Sequence, residues 1–314
     1  MSETMRHLVS VVIPVYNSPD LGALADGIEA VFRKIGREYE VLLVDDGSPD
    51  PHVWPALCEL AAHRSGFRAF QLTRNFGQQA ATLCGLREAR GDVIVTMDDD
   101  LQHDPEDIPA LLAAADHDVV IGQLEQSRHG VFRRMASHIK GWLDRVLIGK
   151  PKGLRLTSYR LINRSVVDGM LSIRTPHPFL PALMFYVSKD VVGVPVRHAG
   201  RRSGRSGYTA GKLIRLFSNL VISNSSVLLR AAAYTGLAFS VLSLIVVALV
   251  IYQKVSYGVS VQGWTSLFAA IVLMGGLLLF SVGVLGEYLI RIIESSEQRP
   301  TYIIRRSASR GSND

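Results

Sequence analysis

The chain has 314 residues, 48% of them hydrophobic and 20% charged, and carries a formal net charge of +6. Two cysteines, Cys58 and Cys84, are too few for a disulfide framework, which excludes a small disulfide-stapled scaffold and fits a reducing compartment. The positive balance alone would suit nucleic acid, but the basic residues gather beside two long apolar runs, so no nucleic-acid partner is expected.

The first residues, Met1–Leu8, are polar and hold no apolar stretch of the kind a cleaved signal peptide needs. Val9–Val15 is a short β-branched run, the pattern of a strand covered on both faces of a parallel sheet. Leu21 to Ile35 predicts a helix, with Leu24, Ile28, Val31 and Ile35 on one face. Further strands are predicted at Glu40–Val44, Ala69–Leu72, Val93–Met97 and Asp118–Ile121, with helical stretches between them. Strands alternating with helices imply βαβ units, hence an α/β fold with a doubly wound, mostly parallel sheet.

Polar residues collect directly after the strands: Tyr16-Asn17, Asp45-Asp46-Gly47-Ser48, Arg74-Asn75 and Asp98-Asp99-Asp100. Ligands of open α/β sheets sit beyond the carboxyl ends of the strands, so these clusters mark one candidate crevice. Three adjacent carboxylates at a buried strand end repel unless a cation or several donors compensate them. Oxygen ligands of this kind suit Mg²⁺ or Mn²⁺, which complete their shells with phosphate and water. Asp104-Pro105-Glu106 reads differently, as a helix N-cap, a proline at the first position and a first-turn acid. In the Asp45–Asp50 loop a carboxylate is placed to accept from a ribose hydroxyl or base N–H, and Tyr16 offers a ring face for a nucleobase.

From Ala231 to Gln253, and again from Gly258 to Gly286, no residue is charged, and each run reaches the roughly 20 residues that cross a hydrocarbon core as a helix. Two transmembrane helices are therefore predicted, at 231–253 and 264–286. Arg201, Arg202, Arg205, Lys212, Arg215 and Arg230 precede the first, and Arg291, Arg299, Arg305, Arg306 and Arg310 follow the second. Only Lys254 lies between them, so the positive-inside pattern puts the 1–210 domain and both termini in the cytoplasm. Residues 211–230 form a predicted amphipathic interface helix against membrane lipids, with Leu213, Leu216, Phe217, Leu220 and Val221 on one side. Residues 287–314 are expected as a cytoplasmic tail, and two thin spans favour a homo-oligomer.

Val12-Ile13-Pro14-Val15-Tyr16-Asn17, Val44-Asp45-Asp46-Gly47-Ser48, Arg74-Asn75-Phe76-Gly77-Gln78 and Met97-Asp98-Asp99-Asp100-Leu101-Gln102-His103 together resemble family 2 glycosyltransferases of the GT-A fold. The nearest resemblance is to polyprenyl-phosphate glycosyltransferases, such as dolichol-phosphate mannose synthase and the bacterial undecaprenyl-phosphate sugar transferases. Leu285-Gly286-Glu287-Tyr288-Leu289-Ile290-Arg291-Ile292 and Arg299-Pro300-Thr301-Tyr302 extend the likeness to the two-span bacterial members.

The resemblance implies inverting transfer of a sugar from a nucleotide-sugar, expected to be a UDP-sugar, to a polyprenyl (undecaprenyl) phosphate. The product would serve cell-envelope glycan or lipid modification, at the bacterial inner membrane. By the same resemblance Pro14 and Tyr16 line the nucleobase pocket, with Asp46 near base or ribose and Asp98 and Asp99 on the nucleotide-sugar. Asp98 and Asp100 hold the metal, Gln102 faces sugar or acceptor, and Arg201 meets phosphate. Three positions depart from the pattern. Ser18 stands where relatives commonly have Glu. Gly207 stands where the basic loop often has Lys, a charge that Arg205 is placed to supply. Ser158 precedes Tyr159-Arg160, where some relatives carry an Asp proposed as catalytic base. A processive polysaccharide synthase would carry Gln-x-x-Arg-Trp, which is absent, and a non-enzymatic scaffold would have lost the intact Asp cluster.

Overall fold

The computed structural model describes residues 8–18, 21–124, 151, 153–175, 178–197, 263–296 and 300–313, with a few isolated positions besides. The chain divides into two bodies, one holding 1–208 together with 299–314, the other 209–298.

In the first body β1 (Val9–Val15) is buried at every position, as its unbroken apolar run predicts. It pairs in parallel with β2 (Tyr39–Asp45) on one side and β4 (Val93–Thr96) on the other, while β2 pairs in parallel with β3 (Phe67–Leu72). Helix α1 (Leu21–Ile35) buries Leu21, Leu24, Ala25, Ile28, Val31 and Phe32, spaced three and four apart so that one stripe faces the sheet. Each large side chain so buried contributes roughly 1.5–3 kcal/mol of transfer free energy. Helix α2 (Val53–His63) turns Val53, Trp54, Leu57 and Ala61 inward. Helix α3 (Gln78–Glu88) lies so close to the sheet that a Cβ on Gly85 would meet Val12 Cγ1 at 2.3 Å. Only glycine allows that approach.

The chain winds from β1 through β2 to β3 in one direction, then returns across β1 to β4. That reversal opens a crevice between the carboxyl ends of β1 and β4, the switch point at which α/β sheets bind ligands.

Beyond β4 the sheet departs from the mostly parallel expectation. After a 3₁₀ turn (Pro105–Asp107) and α4 (Ile108–Leu112) come β5 (Val119–Leu124), β6 (Arg160–Asn163), α5 (Arg164–Ser172), α6 (Leu180–Val187) and β7 (Val191–Val196). Strand β6 lies antiparallel between β4 and β5, and β7 pairs in parallel with β5. On the opposite edge β8 (Ile304–Ser309) pairs antiparallel with β3, and β9 (Ser312–Asn313) folds back on β8. The order is β7-β5-β6-β4-β1-β2-β3-β8-β9, a mixed sheet. Strand β6 opens on Arg160 and closes on Asn163, and β8 is largely polar, so neither carries the apolar run that announces β1, β2 and β4.

The second body is described chiefly through α7 (Trp264–Ser296), a helix of 33 residues. Residues 287–314, expected as a tail, thus divide between the last turns of α7 and the strands β8 and β9 of the first body. Taken over the described residues alone, no helix is long and apolar enough to cross a membrane. The predicted interface helix at 211–230 and nearly all of the predicted span at 231–253 lie outside the described residues.

Candidate active site

Strand β4 ends at Thr96, and its line of pairing continues one step further through Met97 N–H, which donates to Val12 O at 3.1 Å. The three carboxylates that follow take three different directions. Asp98 accepts from Gln78 Nε2 at 2.6 Å on one oxygen and from Ser158 Oγ at 2.5 Å on the other. Asp99 turns back to the β1 loop, where its carboxylate accepts from Tyr16 N–H at 3.1 Å and its carbonyl from Ser18 Oγ at 3.2 Å. Burial, with the negative charges of Asp98 and Asp100 beside it, pushes the Asp99 carboxyl up to about 6, against the Tyr16 hydrogen bond that lowers it. Asp100 accepts from the backbone N–H of Gln102 at 3.1 Å and from its side-chain amide at 2.6 Å.

Leu101 sits between them in left-handed backbone, φ 59°. A residue with a Cβ pays roughly 1–2 kcal/mol for that conformation, and the turn it makes is accompanied by two hydrogen bonds from Gln102 to Asp100. The next residue, His103, is buried, stacks on Tyr159 with ring centroids 4.9 Å apart, and accepts at Nδ1 from Asp98 N–H. Asp104 caps the 3₁₀ turn as its sequence predicts, accepting from Glu106 N–H at 3.0 Å.

The β2 loop interlocks with this one. Both oxygens of Asp46 accept backbone N–H groups at the start of α3, from Phe76 at 2.7 Å and Gly77 at 2.8 Å. Burial raises its carboxyl above the usual range, the two N–H groups lower it, and Asp45 adds a smaller upward push. Gly47 has φ 67°, and a Cβ there would lie 2.5 Å from the Arg74 carbonyl carbon, so no other residue fits without displacing the β3–α3 loop. Ser48 Oγ accepts from Asn17 N–H at 3.0 Å, which ties the β2 loop to the β1 loop. Tyr16 beside it is 48% exposed, its ring free to meet a ligand at the mouth of the crevice.

A narrow cleft opens below Asp98, lined by Pro14, Gln78, Thr96, Asp98, Ser158 and Arg160 among others. Pro14, Tyr16, Asp46, Asp98, Asp99, Asp100 and Gln102 are thus gathered by the loops of β1, β2 and β4. Arg201 and Arg205 lie outside the described residues. Sequence reasoning did not assign Gln78, Ser158 or Arg160 to the site, although the Ser158-Tyr159-Arg160 triplet was visible. Arg160 is buried, and desolvation lowers its guanidinium to about 10 while the charge of Asp98 acts in the opposite direction. A larger hollow of about 500 Å³ lies between α1 and α2, lined by Ser18, Asp50, His52 and Arg64 among others. It adjoins the β1 and β2 loops but holds none of the three clustered carboxylates, so the chemistry is assigned to the smaller cleft.

Among the described residues no group of three or more His, Cys, Asp or Glu side chains is arranged to hold a metal ion. What the crevice offers is carboxylates with lone pairs left over, since each ionised carboxylate has about four acceptor sites. Such a set fits a hard cation that arrives with phosphate and water, the habit of Mg²⁺, better than one needing an all-protein shell.

The chain is similar to undecaprenyl-phosphate 4-deoxy-4-formamido-L-arabinose transferase of Enterobacter sp. (strain 638), with 36% identity over 98% of this chain and 95% of that protein. The protein of the same name from Pseudomonas paraeruginosa (strain DSM 24068 / PA7) is 35% identical over 95% of this chain and 90% of its own. Among solved structures, mannosyl-3-phosphoglycerate synthase from Rubrobacter xylanophilus is 17% identical over 69% of this chain and 72% of its own, with a TM-score of 0.48. The family model for glycosyl transferase family 2 matches residues 10–172, which run from β1 through α5 and include Pro14, Tyr16, Asp46, Asp98–Asp100, Gln102, Ser158 and Arg160. The chain belongs to glycosyl transferase family 2.

Proposed function

We propose that the protein transfers a sugar, with inversion, from a UDP-sugar to undecaprenyl phosphate at the cytoplasmic face of a bacterial inner membrane, for modification of a cell-envelope glycan or lipid. The observation that carries this reading is the hydrogen-bonded union of the β1, β2 and β4 loops around Asp98–Asp100, in a chain alike over nearly its full length to transferases named for that acceptor. The 4-deoxy-4-formamido-L-arabinose of those names is the first sugar to test.

In this reading Tyr16 stacks on the base, Pro14 lines the pocket, and Asp46 and Asp99 serve the nucleotide side through the loops they fix. Asp98 and Asp100 would hold Mg²⁺ or Mn²⁺, which when bound offsets charge on the leaving diphosphate. Gln102, folded onto Asp100, faces sugar or acceptor. The acceptor needs no general base, because a phosphate monoester with a second pKa near 6 is already mostly a dianion at pH 7. Ser158 accordingly acts as a donor, its hydroxyl given to Asp98. Attack by the phosphate oxygen in line with the departing diphosphate inverts the anomeric carbon, and positioning supplies most of the rate.

Arg201, and Arg205 in place of the missing Lys, are assigned to the acceptor phosphate, for which a guanidinium fork is suited. The stretches 231–253 and 264–286 are assigned as membrane spans, with 211–230 on the lipid surface. For α7 the support is its sequence, without a charged residue from Trp264 to Gly286, and the exposure of Leu267, Ile271, Leu278 and Val282 along it.

Membranes containing the protein, incubated with radiolabelled undecaprenyl phosphate and a panel of nucleotide-sugars, should yield one new lipid-linked product. Excess EDTA or Asp100→Asn should abolish it, and turnover undiminished by EDTA would defeat the metal assignment. Arg201→Ala should cut acceptor use at least tenfold, the loss of a charged hydrogen bond of about 1.5–3 kcal/mol, while nucleotide-sugar binding by calorimetry changes less. The reverse pattern would assign Arg201 to the donor diphosphate.

A further inference from the structure

We propose that Arg306, on the strand that follows the long helix, is a positioning residue for the donor side of the crevice, acting through Gln71 and Asp45. The inference rests on the transferase reading above and extends it to a residue far from the crevice in sequence.

Arg306 stands directly opposite Gln71 in the β3–β8 pairing, next to a register shift at Gln71/Leu72 that breaks the regular ladder. Its guanidinium lies over the Trp54 ring, 4.8 Å from the centroid, and its Nε donates to Gln71 Oε1 at 2.7 Å. Gln71 is buried, and its Nε2 donates in turn to Asp45 Oδ2 at 2.7 Å. Asp45 is fully buried, and its other oxygen accepts from Ser48 N–H at 2.9 Å. Ser48 Oγ then takes the N–H of Asn17, the neighbour of Tyr16. An unbroken chain of hydrogen bonds therefore runs from β8 to the loop expected to receive the base.

The chemistry of the groups fixes the direction of that chain. A guanidinium has donors and no acceptor, so the Gln71 carbonyl oxygen must face Arg306. The amide NH₂ is thereby aimed at Asp45, whose carboxylate only accepts. With both its oxygens held, by Gln71 Nε2 and Ser48 N–H, the Asp45 carboxylate is fixed in place and the Asp45–Ser48 turn keeps its shape. Without Arg306 the buried Gln71 oxygen loses its donor, and the amide is then held from the Asp45 side alone. Arg306 and the base-side loops are 235 and more residues from one another in sequence, yet they share one polar network.

Full-length protein in its membrane provides the test. Arg306→Met keeps an aliphatic stem over Trp54 and removes the donor. It should raise KM for the nucleotide-sugar about tenfold, in keeping with loss of a charged hydrogen bond, while kcat and the acceptor KM stay within about twofold. Arg306→Lys, which keeps a charged donor, should recover much of the difference. Gln71→Leu should match Arg306→Met, and the double variant should be no worse than either, because residues of one network act as a unit. Amide hydrogen exchange at Ser48 and Asn17 should quicken in Arg306→Met. If Arg306 only fastens β8 to the sheet, kcat and both KM values will move together, or the two single effects will multiply, and the proposal is overturned. Should the wild-type chain transfer no sugar, the transferase reading falls, and exchange at Ser48 still decides the relay: faster in Arg306→Met upholds it, unchanged rejects it.

Discussion

Ser158 Oγ, 2.5 Å from Asp98, is at the short end of the range for a hydroxyl given to a carboxylate. It occupies the position where an Asp would invite the name of catalytic base, yet the contact it makes is that of a donor. Ser158→Ala should therefore lower kcat/KM by about ten- to a hundredfold, the equivalent of a charge-assisted hydrogen bond of roughly 1.5–3 kcal/mol. The pH profile of kcat should keep its shape, since no titrating group has been removed, and a lost basic limb would restore Ser158 to proton transfer. At this scale the sequence revealed the carboxylate cluster but not the division of labour inside it. Asp98, Asp99 and Asp100 are told apart by partners 60, 83 and 2 residues away, and by a left-handed Leu101 that no local pattern announces. Asp46 was legible as a strand-end acid, while its two backbone partners at Phe76 and Gly77 belong to a loop that only the fold brings near.

Strands β1, β2 and β4 are readable because each holds a run of apolar residues buried on both faces, while β3, interrupted by Arg68 and Gln71, is legible only in its buried end Ala69–Leu72. Of the edge half only β5 is announced, at Asp118–Ile121, whereas β7 is only partly buried and rests on pairing with β5 rather than on an apolar signature. Part of what closes that edge is an exposed pair: His117 Nδ1 and Asp190 Oδ1 are 2.8 Å apart, and Asp190 also accepts from Asp118 N–H at 3.2 Å. The hydrogen bond with Asp190 raises the His117 imidazole above its ordinary value, and the same contact lowers the Asp190 carboxyl. A raised histidine stabilises the fold fully below its unfolded pKa and loses that contribution as pH rises through the folded value. A lowered carboxyl contributes above its unfolded pKa and loses it as pH falls. The pair is therefore strongest between about pH 4 and 6.5. Asp190→Asn should lower the melting temperature most near pH 5.5 and least above pH 8, measured by circular dichroism in detergent. A deficit independent of pH would assign the effect to the Asp118 amide alone.

Charge-free runs flanked by arginines predict two membrane spans from the sequence, whereas the destination of the chain after the second run is not announced there. Strand β8 is too polar to read as part of a core, yet its pairing with β3 puts residues 304–309 in the same sheet as the N-terminal strands. That pairing constrains topology more tightly than the arginines do. One folded sheet cannot straddle a bilayer, so both ends of the segment 209–298 lie on one side of any membrane, and any crossings it makes are even in number. Helix α7, at 33 residues, is about 50 Å long against a hydrocarbon core of about 30 Å, so in length alone it would suit the proposed crossing. If α7 crosses once, as proposed, the proposed span Ala231–Gln253 must supply the second crossing. Reporter fusions at the N-terminus and after Asp314 should both mark the cytoplasm, and one inserted between Tyr257 and Gln262 should mark the far side. A cytoplasmic signal from that middle insertion would leave zero crossings, the other even number, and turn both apolar runs into surface-bound helices. Opposite signals from the two termini would mean that β8 does not pair with β3 in the membrane-embedded protein, and would remove the basis for the Arg306 relay with it.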